Sequence, residues 1–399
     1  EKMALNGMNV ARFNMSHGTH ESHKAMIDKV KLIREKLGVS IGIMIDTKGP
    51  EIRVRDFENG SVTLKEGDEF TLTTREVLGN EKIVAVTYKN LPKILKKGNK
   101  ILLNDGVIEL KVKKLTSTDC ICDVVTSGML SNHKSINIPG VKTDMPYLSE
   151  QDKADLMFAK EVDADFLSLS FVSDASDVKD VRDYLREIKF TTPLLLAKIE
   201  SVDGVKNFDK ILSLSDGVMV ARGDLGVEVE FMKLPILQKE FIKKCNEQGK
   251  ISITATQMLE SMIFNKRPTR AEVSDVANAI FDGTTAIMLS GETASGKYPV
   301  ESVTTMRKIA EEMETHLKFE PVAFKTHNTT ASIGYAVCSL AQTENVKAIN
   351  VGTKTGVTAR NVSRFRPQIP IIACTPTSKI YFQMSMLYGV IPVLEKEYK

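Results

Sequence analysis

Short apolar runs alternate with amphipathic stretches of helical length along most of this chain. Runs over 8–14, 41–46, 165–171, 194–199, 217–221, 251–256 and 286–289 read as buried strands. Between them, apolar residues recur at helical spacing over 20–37, 149–160, 176–188, 202–212, 235–248, 270–281 and 300–317. In the first of these helices Met26, Ile27, Val30 and Ile33 share one face, and Gly38 supplies a C-terminal cap. From about 53 to 138 the texture changes to residue-by-residue alternation with β-branched side chains. Asn59-Gly60, Glu66-Gly67 and Asp105-Gly106 mark turns there. A small all-β module is therefore predicted inside a larger α/β unit, whose rhythm resumes after Pro146. About seven strand–helix units are counted, and a closed parallel barrel needs eight. The predicted fold is a TIM (β/α)8 barrel whose first strand is expected upstream of Glu1; a doubly wound open sheet is the alternative. The stretch 321–330 reads as a linker. Strands over 348–351 and 369–373 and helices over 332–340, 358–365 and 378–387 then predict an incomplete α/β domain. The division expected is 1–50 and 145–320 for the barrel, 51–144 for the β insert, and 321–399 for the C-terminal domain.

Bulk composition narrows the class of function. The net charge is only +3, so no general attraction to nucleic acid or to a membrane surface follows. No apolar run approaches the ~20 residues that span a bilayer, and no signal-peptide pattern opens the chain. The five cysteines are scattered; only Cys120 and Cys122 are close, and their alternation suits a buried strand face. That usage fits a reducing, cytoplasmic compartment.

The polar residues at the strand ends carry the chemistry. Lys198 and Glu200 share one face of a strand end, and Asp224 follows the next strand. Arg12, Asn14, Ser16 and His17 follow the first strand; Asp46, Thr47, Lys48, Glu51 and Arg53 follow the second. Arg222, Thr256, Gln257, Ser290 and Glu292 end later strands. In a barrel such ends converge on one rim. Acids, cations and small hydroxyls together suit a hard divalent cation with an anionic, phosphorylated substrate. Taken singly, the same residues also read as helix caps or as an ion pair closing a strand edge. No Ser/His/Asp or Cys/His arrangement stands out.

Nine segments, in order, resemble the pyruvate kinase family: MNVARFNMSHG (8–18), DTKGPEIR (46–53), HKSINIPG (133–140), SFV (170–172), AKIES (197–201), MVARGDLGVE (219–228), TATQMLESM (254–262), PTRAEVSDVANAIFDG (268–283) and IMLSGETASGKYP (287–299). They cover nearly the whole chain. The family's first barrel strand is expected before Glu1, and the end of its C-terminal domain beyond Lys399.

The resemblance implies phosphoryl transfer from phosphoenolpyruvate to ADP, giving ATP and pyruvate. It implies Mg²⁺ (or Mn²⁺) on Glu200 and Asp224, and a second Mg²⁺ arriving with the nucleotide. Lys198 is implied as transition-state stabiliser, Arg12 as a phosphate contact, and the backbone at Gly223 and Asp224 as holder of the substrate carboxylate. Thr256 would help protonate the enolate through water. Asn14, Ser16, Asp46 and Thr47 match a K⁺ site, and Glu51 matches K⁺ dependence. Asn14, His17, Arg53 and Lys134 match nucleotide contacts, which makes the β insert a lid. Thr353, Lys354, Thr355, Gly356 and Thr358 match a loop for the phosphate of an allosteric effector. A homotetramer is implied, with the 268–281 helix as an interface candidate. Two rival readings are another barrel enzyme acting on an enolpyruvate and a catalytically silent metabolite binder.

Overall fold

The computed structural model describes residues 1–317, 329–344 and 346–395. Most of the predicted linker over 321–330 lies outside the described residues.

Seven parallel strands form one sheet, in the order Val10–Asn14, Gly42–Asp46, Phe166–Leu169, Leu194–Ile199, Gly217–Ala221, Ile251–Ala255 and Ala286–Ile287. Sequential strands are spatial neighbours throughout. Helices between them cover the outer face, and four of the middle strands are buried at every position. That double cover explains why the strands read as unbroken apolar runs. Gly217 lets two of these strands approach. A Cβ there would lie 2.4 Å from the Ile251 carbonyl oxygen, which belongs to backbone and cannot swing aside. Gly217→Ala is therefore expected to destabilise the chain by about 2–4 kcal/mol. A urea unfolding midpoint equal to wild type would refute that packing argument.

The helices follow local signals closely. Ser149, Asp174 and Thr269 each close a capping box at a helix start. The stretch predicted as one helix over 202–212 is two helices, Val202–Lys206 and Phe208–Leu214. The break falls at Asn207, whose side-chain amide donates to the Ser173 carbonyl at 2.9 Å instead of lying along a continuous helix. The strand Gly217–Ala221 passes straight into the helix Arg222–Glu228 at Ala221, with no intervening loop.

The β insert has its own core, including Phe70, Leu72, Ile101, Leu110, Cys120 and Cys122. Its main sheet has seven strands, mostly antiparallel, and a two-stranded ribbon accompanies it. The C-terminal unit carries a three-stranded parallel sheet, Ile349–Gly352, Ile371–Thr375 and Val390–Leu394. This unit docks at the N-terminal ends of the barrel strands. Lys379 Nζ donates to the Ala164 carbonyl at 3.1 Å, and Arg366 Nη1 to the Gly283 carbonyl at 2.8 Å. The C-terminal rim is thus left to the β insert and to the polar groups. No helix among the described residues is long and apolar enough to cross a membrane.

Candidate active site

Three strand ends meet at Lys198. Its Nζ lies 2.9 Å from Glu200 Oε1, 2.8 Å from Ser170 Oγ and 3.5 Å from Asp46 Oδ1. Asp46 and Glu200 are fully buried. Burial alone would favour a neutral amine, but the carboxylates of Asp46 and Glu200 outweigh it and raise the lysine's pKa. The site therefore holds a fixed ammonium with little water around it. Arg12 completes the charge pattern, its Nε 2.5 Å from Asp46 Oδ2.

Glu200 is held from the other side. Its Oε2 accepts from the Phe171 backbone N–H at 2.6 Å. Its Oε1 makes no well-directed hydrogen bond, although the Lys198 ammonium is close. Asp224 sits in the first turn of the Arg222–Glu228 helix. Burial first, then the Glu200 carboxylate, push its pKa up to about 7, and Asp105 of the β insert adds to this against Lys198. Two crowded carboxylates, one with an under-used buried oxygen, fit a divalent cation. Two carboxylates with substrate oxygens and water are a sufficient set for Mg²⁺.

The turn after Ile251–Ala255 is strained. Thr256 and Gln257 both have left-handed backbones, with φ of 70° and 54°. This aims Thr256 Oγ1 at the Gly223 N–H, 2.7 Å away, while its hydroxyl donates to the Ala255 carbonyl at 2.6 Å. Arg222 fixes the same corner. It grips Asp275 with both Nη atoms at 2.6 Å and donates to the Thr256 carbonyl at 2.7 Å.

Asn14, Ser16, Asp46 and Thr47 lie together at the ends of the first two strands. The Ser16 N–H donates to Asn14 Oδ1 at 3.0 Å, and the Asn14 and Asp46 positions pair across the sheet. His17 is exposed beside them. Arg53 is at the base of the β insert, in an ion pair with Glu51 at 2.7 Å and donating to the His133 carbonyl at 2.6 Å, next to Lys134. Between insert and barrel runs a cleft of about 190 Å³, lined by Glu51, Asn137, Phe171, Asp224 and Glu228 among others. Burial raises Glu228 to about 6 in this cleft. In the C-terminal unit, Lys354, Thr355 and Thr358 are exposed, Thr353 is buried, and Gly356 takes φ of 78° at the start of the Val357–Ser363 helix.

Several contributing residues escaped the reading of strand ends. Ser170, Phe171 and Tyr147 touch the lysine–carboxylate cluster or its supports, and Asp275 anchors Arg222 from a helix. The SFV segment (170–172) and the 268–283 segment, which contains Asp275, gave a signal only as unassigned parts of the resemblance.

Fold and rim together define a parallel α/β barrel protein with a buried lysine–carboxylate cluster at its C-terminal rim. Residues 1–303 match the pyruvate kinase barrel domain, and residues 331–399 match the pyruvate kinase alpha/beta domain. A pyruvate kinase of Clostridium acetobutylicum is 44% identical over 398 residues, covering 98% of this chain and 84% of the relative. One of Staphylococcus haemolyticus is 45% identical over 403 residues, covering 99% of this chain and 69% of the relative. The crystal structure of a pyruvate kinase from Cryptosporidium parvum superposes with a TM-score of 0.94 at 38% identity, covering 99% of this chain and 83% of that one. The chain belongs to the pyruvate kinase family.

Proposed function

We propose that this chain transfers the phosphoryl group of phosphoenolpyruvate to ADP at the rim around Lys198, as an ATP:pyruvate phosphotransferase at the last step of glycolysis. The observation that carries the reading is the buried ammonium clamped between Asp46 and Glu200, with the crowded Asp224 alongside. Phosphoryl transfer needs positioning and charge neutralisation more than covalent chemistry. Lys198 sits on the transferring group and on the developing enolate, where its charge is worth most. Arg12 contacts phosphate, and to do so it shares its guanidinium with Asp46. Glu200 and Asp224 would hold Mg²⁺ or Mn²⁺; when bound, the ion neutralises anionic oxygens of the substrate. The N–H groups of Gly223 and Asp224, at a helix start, receive the substrate carboxylate. Arrival of that carboxylate displaces Thr256 Oγ1 from Gly223 and turns the hydroxyl towards the enolate, which it protonates through water.

Asn14, Ser16, Asp46 and Thr47 are assigned to K⁺, and Asn14, His17, Arg53 and Lys134 to the nucleotide, which brings a second Mg²⁺. Residues 51–144 act as a lid that excludes water. The loop from Thr353 through Lys354, Thr355 and Gly356 to Thr358 is assigned to the phosphate of an effector. A homotetramer is assigned from the resemblance, and exposed Phe231, Met232, Ile236 and Phe264 offer apolar surface for a subunit contact. A cytoplasmic location accompanies this reading.

The test is a coupled pyruvate-forming assay with phosphoenolpyruvate and ADP, with K⁺ present or replaced by a larger organic cation. Turnover with K⁺, falling at least ~10-fold without it, is expected, because Glu51 stands where the family's K⁺-dependent members carry glutamate. No turnover under either condition would remove the reading. Turnover indifferent to K⁺ would remove the ion's assignment alone.

A further inference from the structure

The lid is joined to the barrel by two straps. One leaves the barrel after Thr47; the other returns to it at Tyr147. Both straps rest on one residue. The outgoing strap is held at Ser170 by two hydrogen bonds at its root and by one close backbone approach. Ser170 Oγ donates to the Thr47 carbonyl at 2.6 Å, and the Ser170 N–H donates to Thr47 Oγ1 at 3.3 Å. Gly49, at φ of 70°, lies so near that a Cβ there would be 2.7 Å from the Ser170 carbonyl oxygen. The returning strap is tied by Tyr147, whose hydroxyl donates to that same carbonyl at 2.8 Å. Tyr147 stays a phenol: burial, then the surrounding carboxylates, hold its pKa well above the usual value.

Ser170 also faces the chemistry. A serine hydroxyl has one proton to give and lone pairs to receive. Its proton is shared between the Thr47 carbonyl at 2.6 Å and Asp46 Oδ1 at 3.2 Å, so it accepts from the Lys198 ammonium at 2.8 Å. The next residue, Phe171, has a left-handed φ of 56°, an uncommon conformation for a bulky side chain. That twist directs its N–H onto Glu200 Oε2 at 2.6 Å. The turn at 170–171 thus touches both lid straps with one side and both Lys198 and Glu200 with the other.

We propose that Ser170 and Tyr147 are positioning residues that transmit the placement of the lid straps to the Lys198 ammonium and the Glu200 carboxylate. Movement of either strap shifts the Ser170 carbonyl or the Thr47 carbonyl. Either shift carries Ser170 Oγ and the Phe171 N–H with it. Lys198 is then in register for phosphoryl transfer only while the straps keep these ties to Ser170. The lid and the lysine are consequently one mechanical unit, although the lid contributes no side chain to the lysine. This inference rests on the phosphoryl-transfer reading above.

A double-mutant cycle tests it. Tyr147→Phe keeps the ring and removes only the strap's hydrogen bond. Ser170→Ala keeps the backbone and removes the lysine's acceptor. Each is expected to lower kcat, by ~5-fold for Tyr147→Phe and ~30-fold for Ser170→Ala, with KM for phosphoenolpyruvate changed less than ~2-fold. The double variant should fall by no more than ~60-fold, because Ser170→Ala already removes the lysine arm that carries most of the strap's effect and leaves Tyr147→Phe only the Phe171–Glu200 arm to disturb. A merely structural pair would multiply its effects to ~150-fold or lose melting temperature with kcat retained, and either result overturns the coupling. Loss confined to KM does the same. If Ser170→Ala itself melts early, Tyr147→Phe decides alone through its split between kcat and KM. Wild-type turnover in the same assay separates the two ideas: without it the reaction reading fails, and with it only the coupling is at stake.

Discussion

Replacing Lys198 by Met is expected to lower kcat at least ~1000-fold, about 4 kcal/mol of transition-state stabilisation. The size follows from where the charge sits. Lys198 is 9% exposed and surrounded by fixed partners, so its field is neither screened nor reorganised when charge develops on the substrate. Met matches the length of the stem and adds no donor. The same change has a second consequence in the free protein. It leaves Glu200 without its ammonium and Asp46 with Arg12 alone, and breaking a buried pair costs ~3–5 kcal/mol. A lower melting temperature is therefore expected for the variant without metal. A divalent cation at Glu200 and Asp224 should recover part of it, since it supplies the missing positive charge. Turnover measured beside thermal melts with and without Mg²⁺ separates the two effects. A folded variant turning over at the wild-type rate would end the role given to Lys198.

The polar ends of the strands were readable because they obey local rules. Lys198 and Glu200 are two positions apart on a strand end, and the structure duly brings their charges to 2.9 Å. Asp224 was placed beside them by strand order alone, and Leu194–Ile199 and Gly217–Ala221 are indeed neighbours. What could not be read was whatever depends on distant backbone. Ser170 is singled out by the Thr47 and Tyr147 groups that meet it, not by its neighbours in sequence. The helix break at Asn207 depends on a carbonyl at Ser173. The last strand, Val390–Leu394, was missed because Pro392 interrupts its apolar run; it lies at the sheet edge, where a missing donor is tolerated. Asp275 lies on a helix whose periodicity shows a packing face and gives no hint of the bidentate grip on Arg222.

Asp224→Asn is expected to make the metal-free protein more stable above neutral pH while lowering turnover by ~100-fold or more. The direction comes from linkage. The Asp224 carboxyl has an ordinary pKa of 3.8, and in the folded protein burial and Glu200 push it up to about 7. Between these values the folded state keeps a proton that the unfolded state has lost. Its contribution to stability is fully present below about 4, declines as pH rises, and is gone above about 7. Asparagine has no charge to bury at any pH. The variant's advantage should thus be small at pH 4 and reach its full size by pH 8, with a melting temperature raised by ~2 °C or more. Glu228, raised to about 6 by burial in the same cleft, titrates in the same window in both proteins, so the difference between variant and wild type isolates Asp224. Metal reverses the ranking. Mg²⁺ needs the ionised carboxylate, so its apparent affinity for wild type should fall as pH drops below about 7, and a saturating dose should raise the wild-type melting temperature more than the variant's. Scanning calorimetry from pH 5 to 8, with and without Mg²⁺, reads both arms. Equal pH slopes for the two proteins would show that Asp224 is not the crowded carboxyl, and equal Mg²⁺ shifts would show that it is not a ligand. The expected pattern would give the crowding a purpose: a carboxyl pair held at a cost in the empty site is, once ionised, a pair that would bind the cation.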